Sequence, residues 1–359
     1  MSSSKEPLEN IEIVGSTEIP EPALGAFFVQ MYPDRAEFLK RHWRWLYRID
    51  EFPDLEPPLV AVLDDQVIGH VAQIPVFIRR GNRQVLAAWG VDGGVLNRYR
   101  GSGIGWKLME LWSRRYSVGM GFCTEALFRI LLKQGWSPRT TTNYLHLPLK
   151  PHHHPKFQRR VPAIPAQLGG TIWSLVERLI ITLRTAGWPP LRQVSLSSQR
   201  VEQWPILRHP GGWKAPLHVA RSADFLQWRL LNSPFRGQYQ ILEMEDASVS
   251  AVVRLFQIGD LKRARIISIS GTASSRGTIY RFFGSLASWA MKHDVDILSM
   301  VSSDPDVVRW AHRWFPVRSP LRFACICNDP EGERIMQGED HIWELMDYDL
   351  DFLIGFQRY

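Results

Sequence analysis

Val91 Asp92 Gly93 Gly94 Val95 Leu96 Asn97 Arg98 Tyr99 Arg100 Gly101 Ser102 Gly103 Ile104 Gly105 Trp106 Lys107 Leu108 Met109 Glu110 Leu111 reads as a strand, a glycine-rich turn and a helix. Glycines at 101, 103 and 105 remove side chains where backbone N–H groups converge on an anion, and the helix that follows points its positive end at the same spot. The combination describes a cradle for a pyrophosphate.

Three kinds of phosphate-binding turn are distinguished by spacing. A Walker loop needs Gly-Lys-Ser/Thr, and here the first lysine is Lys107, already one turn into the helix. A dinucleotide fingerprint needs Gly-x-Gly-x-x-Gly and a later acidic residue, which Gly101-x-Gly103-x-Gly105 does not supply. What remains is Arg100-x-x-Gly103-x-Gly105, with Val95 five residues earlier at a strand end. This resembles motif A of the GNAT superfamily of acyl-CoA N-acyltransferases. A second landmark agrees, because Ala126 through Gly135-Trp136 resembles the family's helix that ends in Gly-Phe.

Around the turn the pattern is consistent with that fold. Ile11 to Ser16 alternates like a strand, and Pro20–Met31 and Asp34–Tyr47 read as helices. Asp34 is the expected N-cap of the second, with Phe38, Leu39, Trp43, Trp45 and Leu46 on its buried face. Leu59–Leu63, the turn Asp64-Asp65 and Val67–Ile78 form a hairpin, and Gly81-Asn82 turns the chain into Gln84–Val95. Ser102–Tyr116 is helical, Met120–Thr124 a strand, Ala126–Gln134 a helix closed by Gly135, and Thr140–Leu147 the expected last strand. The resemblance covers about residues 10 to 149.

From about residue 216 the order returns weakly. Phe225 to Leu231 echoes the second helix, Tyr239–Glu243 and Val249–Gln257 the hairpin, and Arg265–Ser270 the strand before the turn. Thr278–Met291, Ile297–Val301, Asp306–Phe315 and Arg322–Cys327 follow. The cradle is lost in this copy, where Ser274, Ser275, Arg276 and Gly277 precede Tyr280, Arg281 and Phe282. The expected architecture is α/β (α+β): two GNAT-like domains, each a mixed, mostly antiparallel central sheet flanked by helices. A catalytic domain spans residues 1–149, a basic proline-rich linker with an amphipathic helix 150–215, and a degenerate copy 216–359.

The chain of 359 residues has ordinary hydrophobic and charged fractions, 45% and 22%, so long disordered spans are not expected. Its net charge of +7 invites a nucleic-acid or membrane reading. Residues 150–215, however, hold ten Lys or Arg against two acids, so one connecting segment carries the whole excess and a nucleic-acid groove on the domains is not expected. Within it, Thr171–Thr185 lies between prolines and bears the stripe Ile172, Trp173, Val176, Leu179, Ile180 and Leu183. Packing of that stripe on the chain's own core is expected ahead of contact with a membrane surface. Three cysteines form neither a paired framework nor a zinc set, and the N-terminus has no apolar signal core, so a cytoplasmic protein is expected.

The resemblance implies an acyl-CoA, most simply acetyl-CoA, as co-substrate and no metal. It assigns Val95 and Leu96 to the donor's pantetheine arm, through a backbone N–H of the splayed strand. Arg100, Gly101, Ser102, Gly103, Ile104 and Gly105 fall to the phosphates; Trp106 is read as packing, and Lys107 faces a phosphate or solvent. Asp92 stands where many members carry a catalytic carboxylate, and Glu125 is a second candidate base; the plainer readings are a charge at the Gly93-Gly94 bend and a helix N-terminal charge. The family's acidic tyrosine is replaced by Leu131, leaving Tyr99 and Tyr144 as substitutes. His70 and Gln73 read as core or sheet groups ahead of acceptor contacts, His152–His154 as a solvated loop, and Asp347-x-Asp349-x-Asp351 as an exposed edge. The implied function is N-acylation, most simply N-acetylation, of a primary amine on a small molecule or amino sugar, in a ternary complex formed where the halves meet. The alternatives are an aminoacyl or long-chain acyl transferase and a non-catalytic acyl-CoA-binding or membrane-associated scaffold.

Overall fold

The computed structural model describes residues 10–139, 142–151, 163–202, 204–207, 216–272, 275–338 and 341–347. The chain divides into two compact units. Unit 1 comprises Met1–Ile78, Arg83–Arg139 and Arg322–Gln337; unit 2 comprises Arg79–Asn82, Thr140–Leu321 and Gly338–Tyr359.

In unit 1 the strands run in the order Glu12–Gly15, Leu59–Leu63, Gln66–Arg80, Arg83–Val95, Val118–Cys123 and then residues 322–327. Arg83–Val95 and Val118–Cys123 are parallel, whereas the pairs on either side of the sheet are antiparallel. Local chemistry sets the turns: Asp64 and Asp65 both take positive φ, 47° and 61°, which matches a two-residue hairpin loop. Helices Glu21–Met31 and Ala36–Leu46 precede the hairpin. The second starts later than expected, because Pro33–Arg35 winds as a 3-10 turn and Asp34 does not cap it. It buries Leu39, Trp43 and Leu46 at i, i+4 and i+7, while Phe38 and Trp45 stay partly exposed. Helix Ile104–Ser113 lays Ile104, Leu108 and Trp112 on the sheet, where Trp112 stacks on Trp136 at 5.7 Å.

Unit 2 repeats this order with Arg192–Val194, Tyr239–Glu243, Val249–Ile258, Leu261–Gly271, Ile297–Ser302 and Thr142–Pro148. Its parallel pair is Leu261–Gly271 with Ile297–Ser302. Helix Arg276–Lys292 buries Ile279, Phe282, Phe283, Leu286 and Ala290 against one face of the sheet.

The halves expected to close at residues 149 and 216 exchange a strand. Thr142–Pro148, read as the last strand of the first half, pairs with Ile297–Ser302 in unit 2. Arg322–Cys327, read as the last strand of the second, pairs with Val118–Cys123 in unit 1. Thr142 to Leu147 is buried on both faces although Thr142, Asn143 and His146 are polar, so it takes a central place in a sheet and nothing local in it names the partner strand. The segment between is not a plain linker, because its helix Ala163–Thr185 and strand Arg192–Val194 belong to unit 2. The helix starts earlier than the proline fence suggests, since Pro165 falls in its first turn, where a missing N–H breaks no helical bond.

Candidate functional site

The site in unit 1 begins where the parallel ladder stops. Ala87, Ala88 and Trp89 pair with Val118, Gly119 and Met120, and among the described residues no further pairs follow although Arg83–Val95 continues six residues past Trp89. The two strands therefore splay into a wedge. The cause sits in Asp92, whose φ of 47° takes the backbone out of the extended region that a ladder needs.

Side chains from distant parts of unit 1 hold Asp92 in that conformation. The Arg35 guanidinium grips both carboxylate oxygens, with Nη2 3.2 Å from Oδ2. The Tyr47 hydroxyl donates to Oδ2 at 2.9 Å. The Asp92 carbonyl accepts from the Tyr32 hydroxyl and from His70 Nδ1, the latter at 2.9 Å. A carbonyl cannot donate, so Nδ1 of His70 carries the proton. Burial beside Phe27, Phe28 and Tyr47 pushes the His70 pKa down to about 4, which keeps the ring neutral with Nε2 as its bare nitrogen. Burial, and then the Asp92 charge, holds the Tyr47 phenol well above its ordinary range, so it remains a donor.

Past the wedge the chain forms the glycine turn. Leu96 N–H donates to the Ile68 carbonyl at 2.9 Å, Asn97–Tyr99 makes one 3-10 turn, and the Ser102 hydroxyl donates to the Tyr99 carbonyl at 2.7 Å. Gly101 and Gly103 have φ of 80° and 91°, which L side chains rarely adopt, and a Cβ on either would meet nothing within 4 Å. Helix Ile104–Ser113 starts here, and its first recorded helical acceptor is the Gly103 carbonyl, taken by Lys107 N–H at 3.0 Å. Among the described residues no protein acceptor faces the N–H groups of Gly101 through Trp106. They lie at the positive end of the helix. Arg100 and Lys107 are exposed beside them. Trp106, expected to pack, is 43% exposed.

No protein-family model and no curated protein sequence matches the chain. An N-myristoyltransferase from Saccharomyces cerevisiae with bound myristoyl-CoA superimposes with a TM-score of 0.57 at 12% identity, covering 90% of this chain and 80% of that one. A GCN5-related N-acetyltransferase from Kribbella flavida gives 0.52 at 13% identity, over 90% and 73% of the two chains. One from Anabaena variabilis gives 0.51 at 14%, over 89% and 73%. The chain has the GNAT fold.

Within the GNAT fold of unit 1, the other expected site residues take plainer places. Val95 ends its strand at the wedge, Leu96 follows it buried with its N–H on the Ile68 carbonyl, and Arg100 through Gly105 form the turn. Asp92, expected as a free base, has its carboxylate buried and occupied by Arg35 and Tyr47. Glu125 sits in the first turn of helix Glu125–Lys133, exposed and paired with Arg129 at 2.5 Å and Arg322 at 3.0 Å. These cations, led by the Arg129 hydrogen bond, lower its pKa and make it a weak base. Tyr99 packs on the unit 1 core under the Arg98 guanidinium. Leu131 is core, as its apolar character requires. Tyr144 belongs to unit 2, where Arg265 and Arg263 lower its phenol pKa against the effect of burial. Gln73 is buried and donates to the Glu56 carbonyl at 3.0 Å. Sequence reading missed Arg35, Tyr32 and Tyr47; nothing local ties them to a residue 45 to 60 positions away.

Unit 2 has the same wedge, but it is filled. Its parallel ladder ends at Ile266 with Met300. Beyond it the Ile269 N–H donates to Glu344 Oε1 at 3.2 Å, and Ser302 forms an isolated bridge with Glu344. At the turn that follows, Ser275 caps helix Arg276–Lys292 through Thr278 N–H at 3.2 Å. Gly277 lacks a positive φ, and Phe282 is fully buried. Asp347, expected on an exposed edge, is buried and paired with Arg221. Ser274, His152–His154, Asp349 and Asp351 lie outside the described residues. No group of three or more His, Cys, Asp or Glu suited to a metal occurs among the described residues.

Proposed function

We propose that unit 1 binds an acyl-CoA and transfers its acyl group to a primary amine, and that unit 2 supports this single site without a donor site of its own. The observation that carries the reading is the set of N–H groups from Gly101 to Trp106 that have no protein acceptor among the described residues, placed directly past a splayed parallel pair. Such a turn suits a pyrophosphate, with Arg100 and Lys107 as nearby cations. The wedge beside Gly93 to Val95 is where the strand would receive an extended pantetheine arm and polarise a thioester carbonyl, the Leu96 N–H being already on the Ile68 carbonyl. In the transfer the carbon–sulfur bond breaks as a carbon–nitrogen bond forms; the thiol departs as free CoA and the amine loses one proton.

In this reading Asp92 is a positioning residue. Its carboxylate oxygens are already taken by the Arg35 guanidinium and the Tyr47 hydroxyl, so its task is to fix the bend that keeps the wedge open. The amine then arrives already neutral or loses its proton to water.

Acetyl-CoA is the donor to test first, with a small-molecule amine or amino sugar as acceptor. A longer chain is the second reading, favoured by the superposition on the myristoyl-CoA-bound yeast enzyme. No described helix is long and apolar enough to cross a membrane. Calorimetric titration with acetyl-CoA and myristoyl-CoA, followed by thiol release over a panel of amines, tests the proposal. Donor binding with acceptor-dependent thiol release is the expected result. Binding without turnover on any amine supports the scaffold reading, and the absence of binding by either donor overturns the site.

A further inference from the structure

The helix Ala163–Thr185 faces the opposite way from what its composition suggests. It packs on helix Arg276–Lys292 through a narrow face made of Gly170, Ser174, Ile181 and Thr185, all buried. Ser174 and Thr185 turn their hydroxyls onto the carbonyls of Gly170 and Ile181, both at 2.8 Å, so this face presents no unsatisfied polar atom to the core. The large apolar residues point outward. Ile172, Trp173, Leu175, Val176, Leu179 and Leu183 are between 48% and 68% exposed. Residues 172, 176, 179 and 183 recur at steps of four and three, which gathers them into one stripe, and the other two flank it.

A continuous stripe of this kind is rare on a soluble surface and marks a contact. We propose that it is a docking face for a bilayer containing anionic phospholipid, on which the helix lies flat while it stays attached to unit 2. Charge selects this occupant. The helix carries Arg178 and Arg184 beside the stripe, and its one acid, Glu177, is half-buried. Arg178 also reaches Asp294 at 3.3 Å, and both arginines stay exposed beside the stripe. A second copy of this chain would set those cations against one another, whereas anionic headgroups neutralise them. The helix does not meet the length and apolarity needed to cross, and Trp173 at the stripe's edge suits the headgroup boundary. The inference stands apart from the reading of the glycine turn.

The test is co-sedimentation of the full chain with vesicles of phosphatidylcholine alone and with about one-third phosphatidylglycerol. Binding to the anionic vesicles, weakened by salt, is expected. Leu175→Glu/Leu179→Glu/Leu183→Glu changes only exposed positions and should lower that binding at least about tenfold without shifting the thermal midpoint. Arg178→Gln/Arg184→Gln, which keeps the apolar stripe, should lower binding about tenfold on anionic vesicles only and reduce its salt dependence. No binding to anionic vesicles, or equal binding by wild type and the triple variant, overturns the proposal. So does a dimer in sedimentation velocity that the triple variant dissociates while vesicles leave the wild type unbound.

Discussion

Ile269 N–H donates to Glu344 Oε1 at 3.2 Å, in the gap that opens in unit 2 where its parallel strands part. Among the described residues the equivalent gap of unit 1 has no such plug, and its bend is set instead by Asp92 at φ 47°. One fold thus carries two versions of the same wedge. In one the strand's hydrogen-bonding edge is spent on the chain's own carboxylate, and in the other no such carboxylate lies against it among the described residues.

Glu344 should make stability fall with rising pH. Burial pushes its carboxyl up to about 7, only partly opposed by Arg221, while in the unfolded chain it titrates near 4.5. The folded form therefore holds a proton that the unfolded form has lost between those values, and the associated stability, on the order of 3 kcal/mol, disappears as pH rises through 7. Urea unfolding of wild type and Glu344→Gln at pH 5 and pH 8 checks this. The variant should lose much of the fall seen in wild type.

His70 should do the opposite. Its pKa is near 4 in the fold and 6.5 as the ordinary value, so the unfolded chain takes up a proton between them that the fold refuses. Stability present above pH 6.5 is lost as pH falls toward 4, again by on the order of 3 kcal/mol. His70→Gln should flatten that acid limb. An unchanged limb would mean that the ring is hydrated in solution, contrary to its enclosure by Phe27, Phe28 and Tyr47.

Much of unit 1 was legible because its signals are local. Asp64-Asp65, Gly81-Asn82 and the Arg100–Gly105 turn each announce a backbone conformation within a few residues, and the strands and helices between them follow from alternation and helical spacing. The strand exchange was not legible, since nothing local in Thr142–Pro148 names its partner strand and neighbours in sequence usually pair. The stripe of Ile172 to Leu183 was read correctly as a face but assigned to the core, because large apolar residues ordinarily outrank Gly, Ser and Thr there. Asp92 looked like a base because its partner Arg35 stands 57 residues away, where periodicity carries no information.

Asp92 and Arg35 should behave as a structural pair. Either Asp92→Asn or Arg35→Met leaves a buried charge with its main partner gone, at an expected cost of about 3 kcal/mol or more in urea unfolding. The double variant should recover part of that loss. A free catalytic base predicts a different outcome for Asp92→Asn: stability would be retained, and turnover would fall with loss of the acid limb of its pH profile.

Gly103→Trp separates the need for a special backbone from the need for open space. Gly103 and Gly135 share left-handed conformations, φ 91° and 87°, and a Cβ on either meets nothing within 4 Å. Gly103→Ala and Gly135→Ala should therefore each cost about 1 kcal/mol of stability through backbone strain alone. Gly135 ends helix Glu125–Lys133, so its alanine variant should keep acyl-CoA affinity. Gly103→Trp adds an indole to the space over the Gly101–Trp106 N–H groups and should weaken acyl-CoA binding more than about a hundredfold while the protein still unfolds cooperatively. Calorimetric titration of the three variants reads the difference. Wild-type affinity in Gly103→Trp would place the donor phosphates somewhere other than this turn.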